Sequence, residues 1–371
     1  MEQHTRQYVP FSSQWKMRID HPYSLVVRDG AVAWSCGQCP LDAEGRVLAP
    51  GDLVAQTKRV ARFVQNALDS VEFASKSVSK IVVYYVDLGA RETQQMNSIL
   101  RSALGDGVLT IPLAVPRFYY EGMLIEVDAH AAAVADTPVR LEKRSAGIVL
   151  EGVVGDDIAW ISLSVNRDVC DSGSPSLTNR IRSLLESFGV GSKDLLSDHW
   201  FVADGVDAAP LEALAREGLL SDRGAVALAG LPENARILGE LTFVRSGGVR
   251  TGFVTLRSNS NGAAIRVRKR GRYFWLSGRA HSGNGLVGQT RAAMNAINAE
   301  MVGNGWQFGR VCKVTTHYLG TGSEQELNSN MAVRNGYYKR PGPASTGLLV
   351  ASFPYAESLI TMDVLGTEEL S

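Results

Sequence analysis

A motif that occurs three times constrains this chain more than any single residue does. Each copy places a tryptophan at the end of an apolar strand, soon after a tight turn, at Trp34, Trp160 and Trp275. The tryptophans are 160 − 34 = 126 and 275 − 160 = 115 residues apart, about the length of one small domain. A repeat of this period predicts three related units in tandem.

The first copy shows a clear order of elements. Two apolar segments flank a turn at Asp29-Gly30, which is a strong hairpin signal. Helical spacing of apolar residues over 51–74 predicts an amphipathic helix, and the β-branched and aromatic run 80–87 predicts a central strand. The predicted order β-β-α-β-α-β-β is completed by a helix over 91–104 and strands over 108–115 and 123–132.

The same order is predicted twice more, so that the chain divides into three units over residues 1–140, 141–248 and 249–371. The polar stretches 136–145 and 245–250 are the expected linkers. Both helices of a unit lie on one side of its sheet, which leaves the other face apolar and uncovered. A lone unit would expose too large a patch, so we expect the three units to pack on one another.

Charge and cysteine content restrict the kind of partner. The chain has 38 basic and 38 acidic residues, so no overall field attracts nucleic acid or an anionic membrane. Four cysteines do not form a disulfide framework, and residues 1–13 are polar, without an apolar leader. We expect a cytoplasmic monomer, or at most a weak higher oligomer, that binds a small molecule and neither nucleic acid nor a membrane.

Metals and nucleotide cofactors are not expected. Cys36 and Cys39 have the spacing of a redox or metal pair, but zinc takes about four ligands and no second such pair follows. No glycine-rich phosphate loop of either common type is present in the right setting. The basic hairpin 266–272 is most simply a solvated turn, with an anion or RNA patch as the alternative.

The first unit resembles the RidA/YjgF family over residues 20–134, the third unit does so moderately, and the second faintly. The residues that carry the resemblance in the first unit are Pro22-Tyr23-Ser24, Cys36-Gly37-Gln38-Cys39-Pro40-Leu41-Asp42, Gln56-Thr57, Asn97 and Leu124–Ala129. That family forms homotrimers of a chorismate-mutase-like fold with its clefts between subunits. The resemblance implies an α+β fold in which three RidA-like units form an intramolecular pseudo-trimer.

The resemblance implies two catalytic residues. Arg223, the one family arginine kept in the chain, would clamp a substrate carboxylate, because a guanidinium matches two carboxylate oxygens. Glu126 would move a proton, since a carboxyl in a half-buried cleft can have a pKa near neutrality. The structural alternatives are a solvated loop arginine and a strand-edge charge. The equivalents of Glu126 are Leu238 and Thr361, so two units lack this carboxyl.

Seven further residues are expected to line the clefts and bind substrate. Tyr23, Cys36 and Asn97 match family positions around the pocket, and His130 lies on the same strand face as Glu126, four positions on. A sheet histidine with satisfied hydrogen bonds is the alternative for His130. The third unit contributes a comparable set, namely Ser277, Arg279 and Ser345.

These residues predict an enzyme that performs acid-base hydrolysis or deamination of a small carboxylated imine or enamine, without a cofactor. Arg223 and Glu126 would act together if the first and second units face each other correctly. A pseudo-trimer that binds a metabolite or partner without catalysis is one alternative, favoured by the loss of charge in two units. Chorismatase-like cleavage of an enolpyruvyl ether is another, although Thr361 stands where a glutamate would be expected.

Overall fold

The structure is a computed structural model. It describes residues 6–11, 14–73, 78–132, 140–166, 169, 175–203, 206, 211, 214–215, 226–228, 231, 235–245, 254–258, 262–321, 323–353 and 357–369.

Three six-stranded sheets carry the α+β fold, and their strands follow one another along the chain. Sheet 1 contains β1 (Gln7–Val9), β2 (Val26–Asp29), β3 (Val32–Ser35), β4 (Val78–Tyr85), β5 (Leu109–Ala114) and β6 (Ile125–Ala132). Sheet 2 contains β7 (Arg140–Ser145), β8 (Ile148–Val154), β9 (Ile158–Asn166), β10 (Leu195–Ala203), β11 (Val226–Leu228) and β12 (Ala235–Val244). Sheet 3 contains β13 (Val254–Ser258), β14 (Ala263–Arg270), β15 (Tyr273–Ala280), β16 (Val311–Tyr318), β17 (Ala344–Leu349) and β18 (Ile360–Thr367).

All three sheets have the same strand order. Sheet 1 runs β1-β2-β3-β6-β4-β5, and sheets 2 and 3 repeat this order as β7-β8-β9-β12-β10-β11 and β13-β14-β15-β18-β16-β17. The edge pairs β4–β5, β10–β11 and β16–β17 are parallel, and the other pairs are antiparallel. We call each sheet with its helices unit 1, unit 2 or unit 3. The shared topology confirms the expected α+β architecture of three like units.

Each sheet gains a strand that the sequence did not predict. Strands β1, β7 and β13 pair antiparallel with the first predicted hairpin of their units. Strand β7 lies where a linker was expected, so that prediction was wrong. Its exposed residues, with the sequence RLEKRS, lack the apolar alternation that identifies a half-buried strand. The other expected linker, 245–250, lies outside the described residues except for Arg245.

Five helices are described: α1 (Leu53–Asp69), α2 (Ala90–Leu104), α3 (Pro175–Glu186), α4 (Gly285–Gly303) and α5 (Glu324–Asn335). Helix α1 begins where the Asp52 carboxylate accepts a hydrogen bond from the Ala55 amide at 2.9 Å, a standard N-cap. Its buried stripe includes Val60, Val64 and Leu68, which face the sheet. The helix predicted over 208–218 lies mostly outside the described residues.

The sheet faces opposite the helices meet along a central axis. Lys80 of unit 1 pairs with Glu240 of unit 2, and Lys313 of unit 3 lies 2.9 Å from Asp128 of unit 1. These contacts fix how the units follow one another around the axis. The expected packing of the three units is confirmed, but the prediction that these faces are apolar was wrong, because buried ion pairs cross them.

A third contact closes the ring with different chemistry. The two lysines follow a register shift in their strands, and the same position in β10 is Ser197. The histidine two residues on, His199, lies between Glu240 at 3.2 Å and Asp363 of unit 3 at 3.5 Å. Burial lowers the pKa of His199, but the Asp363 and Glu240 carboxylates outweigh it and raise it to about 9. A protonated histidine therefore replaces the third lysine.

Candidate functional site

A cavity between units 1 and 3 contains the most chemically distinctive residues of the molecule. Unit 1 contributes Glu126 and Gly37, and unit 3 contributes Arg334 and Ser345. The space open to water centres is about 70 Å³, where one water needs about 10–15 Å³. The cavity therefore has room for several waters or for a small ligand.

Glu126 reaches the cavity from the second residue of β6. Helix α1 fixes this end of the strand, because the Gln56 amide accepts a hydrogen bond from Leu124 N at 2.7 Å and donates one to Gly122 O at 2.7 Å. The opposing chain leaves room for the carboxyl only because residue 37 is glycine, since a Cβ there would lie 1.7 Å from Glu126 Oε1. Both features hold the carboxyl in one place.

The electrostatics of Glu126 suit proton transfer. Only 8% of the residue is exposed. Burial and the nearby Asp128 carboxylate raise the pKa of Glu126 to about 8, against the opposing influence of Lys313 and Cys39. The carboxyl is therefore neutral at pH 7 and titrates near the working range of a general acid and base.

Arg334 enters the cavity from α5 and is 3% exposed. Its Nε donates to Asn330 Oδ1 at 3.1 Å and its Nη1 donates to Thr316 Oγ1 at 3.2 Å. Among the described residues, no carboxylate lies within ion-pair distance of its guanidinium. A buried cation held only by neutral acceptors is costly unless an anion joins it, so the arrangement favours an anionic ligand.

Tyrosines line the same cavity as Glu126 and Arg334. Burial raises the pKa of Tyr23, while Arg334 and the Ser345 hydroxyl act to lower it. Burial and Tyr119 raise the pKa of Tyr318, and both Arg334 and Glu126 also influence it. The predicted residues Tyr23, Ser345 and Glu126 thus line one cavity, together with an arginine that sequence reasoning missed.

Chain spacing contained a signal for Arg334. Counted from the last residue of β4 or β16, an asparagine lies 12 positions on (97 − 85 and 330 − 318) and an arginine 16 positions on (101 − 85 and 334 − 318). Asn330 and Arg334 therefore correspond to Asn97 and Arg101. The expected clamp position in unit 3 is occupied by Ser345, and the guanidinium comes from the adjacent helix instead.

The cleft between units 1 and 2 contains the counterparts of Asn330 and Arg334, but it lacks the carboxyl and its arginine is exposed. Asn97 and Arg101 line it together with Leu238, the counterpart of Glu126. The Arg101 side chain is 60% exposed, 3.9 Å from Asp106. Asn97 is therefore not in the cavity of Glu126, and the position that corresponds to Glu126 has no carboxyl in this cleft.

Two of the residues predicted in unit 3, Ser277 and Arg279, lie on β15, away from Ser345 and the cavity of Glu126. Ser277 pairs in register with Asp363, and its hydroxyl hydrogen-bonds to that carboxyl. Arg279 pairs in register with Thr361, the counterpart of Glu126. Arg223 lies outside the described residues. The described residues around Glu126 belong to units 1 and 3, and the deeply buried arginine that shares its cavity is Arg334.

Cys36 and His130 are buried in different surroundings. Burial raises the pKa of the Cys36 thiol well above its ordinary value, so the thiol is not an activated nucleophile. Burial and Lys80 lower the pKa of His130 well below its ordinary value. His130 shares a strand face with Glu126, as predicted, but it lines the axial cavity with Trp34 and Trp160. Neither Cys36 nor His130 lines the cavity of Glu126.

Within the described ranges, no group of His, Cys, Asp or Glu side chains is placed to hold a metal ion. No helix among the residues that the structure describes is both long and apolar enough to cross a membrane.

Comparison with known proteins gives a family match over most of unit 1. Residues 16–133 match the family described as endoribonuclease L-PSP. A RutC family protein of Pyrococcus abyssi is 30% identical over 111 residues, which cover 30% of this chain and 85% of that protein. A RutC family protein of Pyrococcus horikoshii is 26% identical over 111 residues, with 30% and 86% covered.

Solved structures also show similarity to the chain. A Mycobacterium tuberculosis member of the YjgF/YER057c/UK114 family is 22% identical, with a TM-score of 0.29, and covers 35% of this chain and 100% of its own. A chorismatase crystal structure is 12% identical, with a TM-score of 0.48, and covers 79% of this chain and 93% of its own.

Proposed function

Since this chain belongs to the RidA/YjgF family, we propose that its cavity between units 1 and 3 hydrolyses a small carboxylated imine or enamine. The observation that carries the proposal is the buried Arg334, which has no carboxylate partner among the described residues and shares a cavity with Glu126. Arg334 would bind the substrate carboxylate and Glu126 would transfer protons.

The reaction needs one acid-base group that works in both directions. Glu126, neutral at pH 7, donates its proton to the imine nitrogen, and the resulting carboxylate takes a proton from the attacking water. The tetrahedral carbinolamine then loses ammonia when Glu126 protonates the amine and accepts the hydroxyl proton. The sum is imine plus water giving carbonyl and ammonia, with Glu126 restored. For an enamine, the same carboxyl first protonates carbon.

Arg334 would also orient the substrate for the reaction. A guanidinium that holds a carboxylate by two parallel hydrogen bonds fixes the position of the adjacent carbon. The Arg334 hydrogen bonds to Asn330 and Thr316 hold the guanidinium itself in place. The reacting carbon would then lie between Arg334 and Glu126, near Tyr318, whose pKa both residues influence.

Only one of the clefts is proposed as catalytic. The cleft between units 1 and 2 has Leu238 in place of the carboxyl, and the cleft between units 2 and 3 has Thr361. Neither side chain can exchange a proton with an imine near neutral pH. Fusion of three units in one chain allows one cleft to keep the reaction while the others change.

The test is the hydrolysis of 2-aminoacrylate, generated in place from serine by a dehydratase. Wild type is expected to accelerate its loss, and Arg334→Ala to reduce kcat/KM by about 10–100-fold, as for the loss of a charged hydrogen bond of about 1.5–3 kcal/mol. Arg101→Ala is the matched control in the other cleft and is expected to leave the rate unchanged. No acceleration by wild type, either with 2-aminoacrylate or with an aromatic 2-imino acid generated in place by an amino-acid oxidase, would reject the hydrolase proposal, even if the cavity bound ligand.

A further inference from the structure

Aromatic rings dominate the wall of the cavity that holds Glu126 and Arg334. The rings that line it belong to Phe11, Trp15, Tyr23, Phe118, Tyr119, Tyr120 and Tyr318. Six methionine and leucine side chains also line it, and Arg117 and Cys39 are among the other lining residues. A site for a two- or three-carbon imino acid has no need of so much planar apolar surface, whereas a ring-bearing ligand gains from stacking and edge contacts with it.

Part of this wall comes from the segment before the family match begins. We call residues 6–23 the N-terminal arm, of which 12–13 lie outside the described residues. Phe11 and Trp15 of the arm form an edge-on pair at 4.8 Å, and both precede residue 16, where the match to the family starts. The arm therefore adds aromatic surface to a site that the matched segment alone would leave more open.

The arm is attached to both units that form the cavity. Arg6 forms an ion pair with Asp29 of unit 1 and donates hydrogen bonds to Thr367 and Gly309 O of unit 3. Trp15 Nε1 donates to Gln38 Oε1 of unit 1 at 3.2 Å. These contacts hold the arm across the boundary between the units, so its rings have fixed positions beside the cavity.

A wider groove along the arm adjoins the cavity and shares part of its wall. Phe11, Trp15, Met17 and Tyr23 line both spaces, and the groove has about 1200 Å³ open to water centres. A ligand whose carboxylate and imine occupy the inner cavity therefore has room for a side chain that extends between these residues. That side chain would contact rings along most of its length.

We propose that the N-terminal arm makes this site selective for 2-imino or 2-enamino acids that carry a planar aromatic ring, over the small aliphatic ones. The inference rests on the proposed function and names the substrate class for the same cavity. The carboxylate lies on Arg334, the imine carbon near Glu126, and the ring between the arm and the rings of unit 1.

The test uses phenylpyruvate and pyruvate, stable keto-acid products that differ in the ring, titrated into the full chain by calorimetry. Wild type is expected to bind phenylpyruvate at least about tenfold more tightly, since about 1.4 kcal/mol corresponds to tenfold. Phe11→Ala and Tyr119→Leu, both in the cavity wall, are each expected to weaken phenylpyruvate about 2–10-fold and to leave pyruvate unchanged. Phe63→Ala on α1, another half-buried phenylalanine, is the matched control and is expected to change neither.

The possible results separate the two proposals. Equal affinity for the two acids, or equal losses for both in Phe11→Ala and Tyr119→Leu, would overturn the selectivity while leaving a carboxylate site. Phenylpyruvate affinity that is unchanged by Arg334→Ala would place its binding elsewhere and would also overturn the inference. Tight phenylpyruvate binding without 2-aminoacrylate turnover would support the selectivity and count against hydrolysis of small imines.

Discussion

Two groups of buried ionisable residues adjoin β6, one at Glu126 and the other at Asp128 two residues on, and they differ in how their charges are compensated. At the axis, Asp128 is 2.9 Å from Lys313, and Glu240 pairs with Lys80 and His199. In the cavity, Arg334 has no carboxylate partner among the described residues. Charges at the axis are matched by the protein itself, and the charge of Arg334 is left for a ligand to match.

The difference separates stability from function. Removing one partner of a buried ion pair leaves an uncompensated charge and is strongly destabilising. Removing an unpaired buried cation relieves a cost that folding already bears. Variants at the axis should therefore unfold more easily, and variants in the cavity should lose activity without losing stability.

The largest effect is expected from Glu126→Gln. The amide cannot exchange a proton with substrate, so kcat/KM for imine hydrolysis should fall by about 10²–10⁴-fold. The wild-type rate should decline above pH 8 as the carboxyl ionises, because the acid form starts the reaction. Steady-state rates from pH 6 to 9.5 measure both effects. A residual rate that still declined near pH 8 in the variant would assign that titration to another group.

The next effect concerns stability. Lys80→Met leaves Glu240 with only His199 as a cationic partner, and the free energy of unfolding should fall by about 3–5 kcal/mol. Denaturant titration of wild type and variant measures the change. Arg334→Met makes the contrast, because it should leave the unfolding midpoint the same or higher while activity falls. Equal destabilisation by both substitutions would remove the distinction between the two clusters.

Local sequence patterns predicted part of this architecture. The hairpins, the long helix α1 and the strand with Glu126 follow from periodicity and turn residues. Tyr23, Glu126 and Ser345 were predicted as site residues from a family resemblance and lie in one cavity. Arg334 was missed because it lies on helix α5, whereas the family pattern places the arginine on the strand, at the position of Ser345.

The axis could not be predicted for a different reason. Lys80 and Lys313 lie in runs that are otherwise typical of buried strands, and strand periodicity does not indicate what covers a face. The order of units around the axis depends on contacts between residues more than 150 positions apart, such as Lys80 and Glu240. Without that order, Glu126 was paired with Arg223 of unit 2, which lies outside the described residues, whereas the described residues around Glu126 belong to units 1 and 3.

A smaller, pH-dependent effect on stability is expected from His199, which lies between Glu240 and Asp363. The pKa of His199 is raised in the folded state, from 6.5 to about 9. Its contribution to stability is therefore fully present below pH 6.5 and lost as the pH rises through 9. His199→Asn should destabilise the protein more at pH 6 than at pH 9.5, as measured by denaturant midpoints at both values. A pH-independent difference would show that the histidine acts by packing alone.

The most direct test of the central claim is a crystal structure of the protein soaked with phenylpyruvate. The account predicts that the carboxylate binds the Arg334 guanidinium, with the keto carbon beside Glu126 and the ring against Phe11 and Tyr119. Density for the ligand in the cleft of Asn97 and Arg101, with the Glu126 cavity empty at the same concentration, would contradict it.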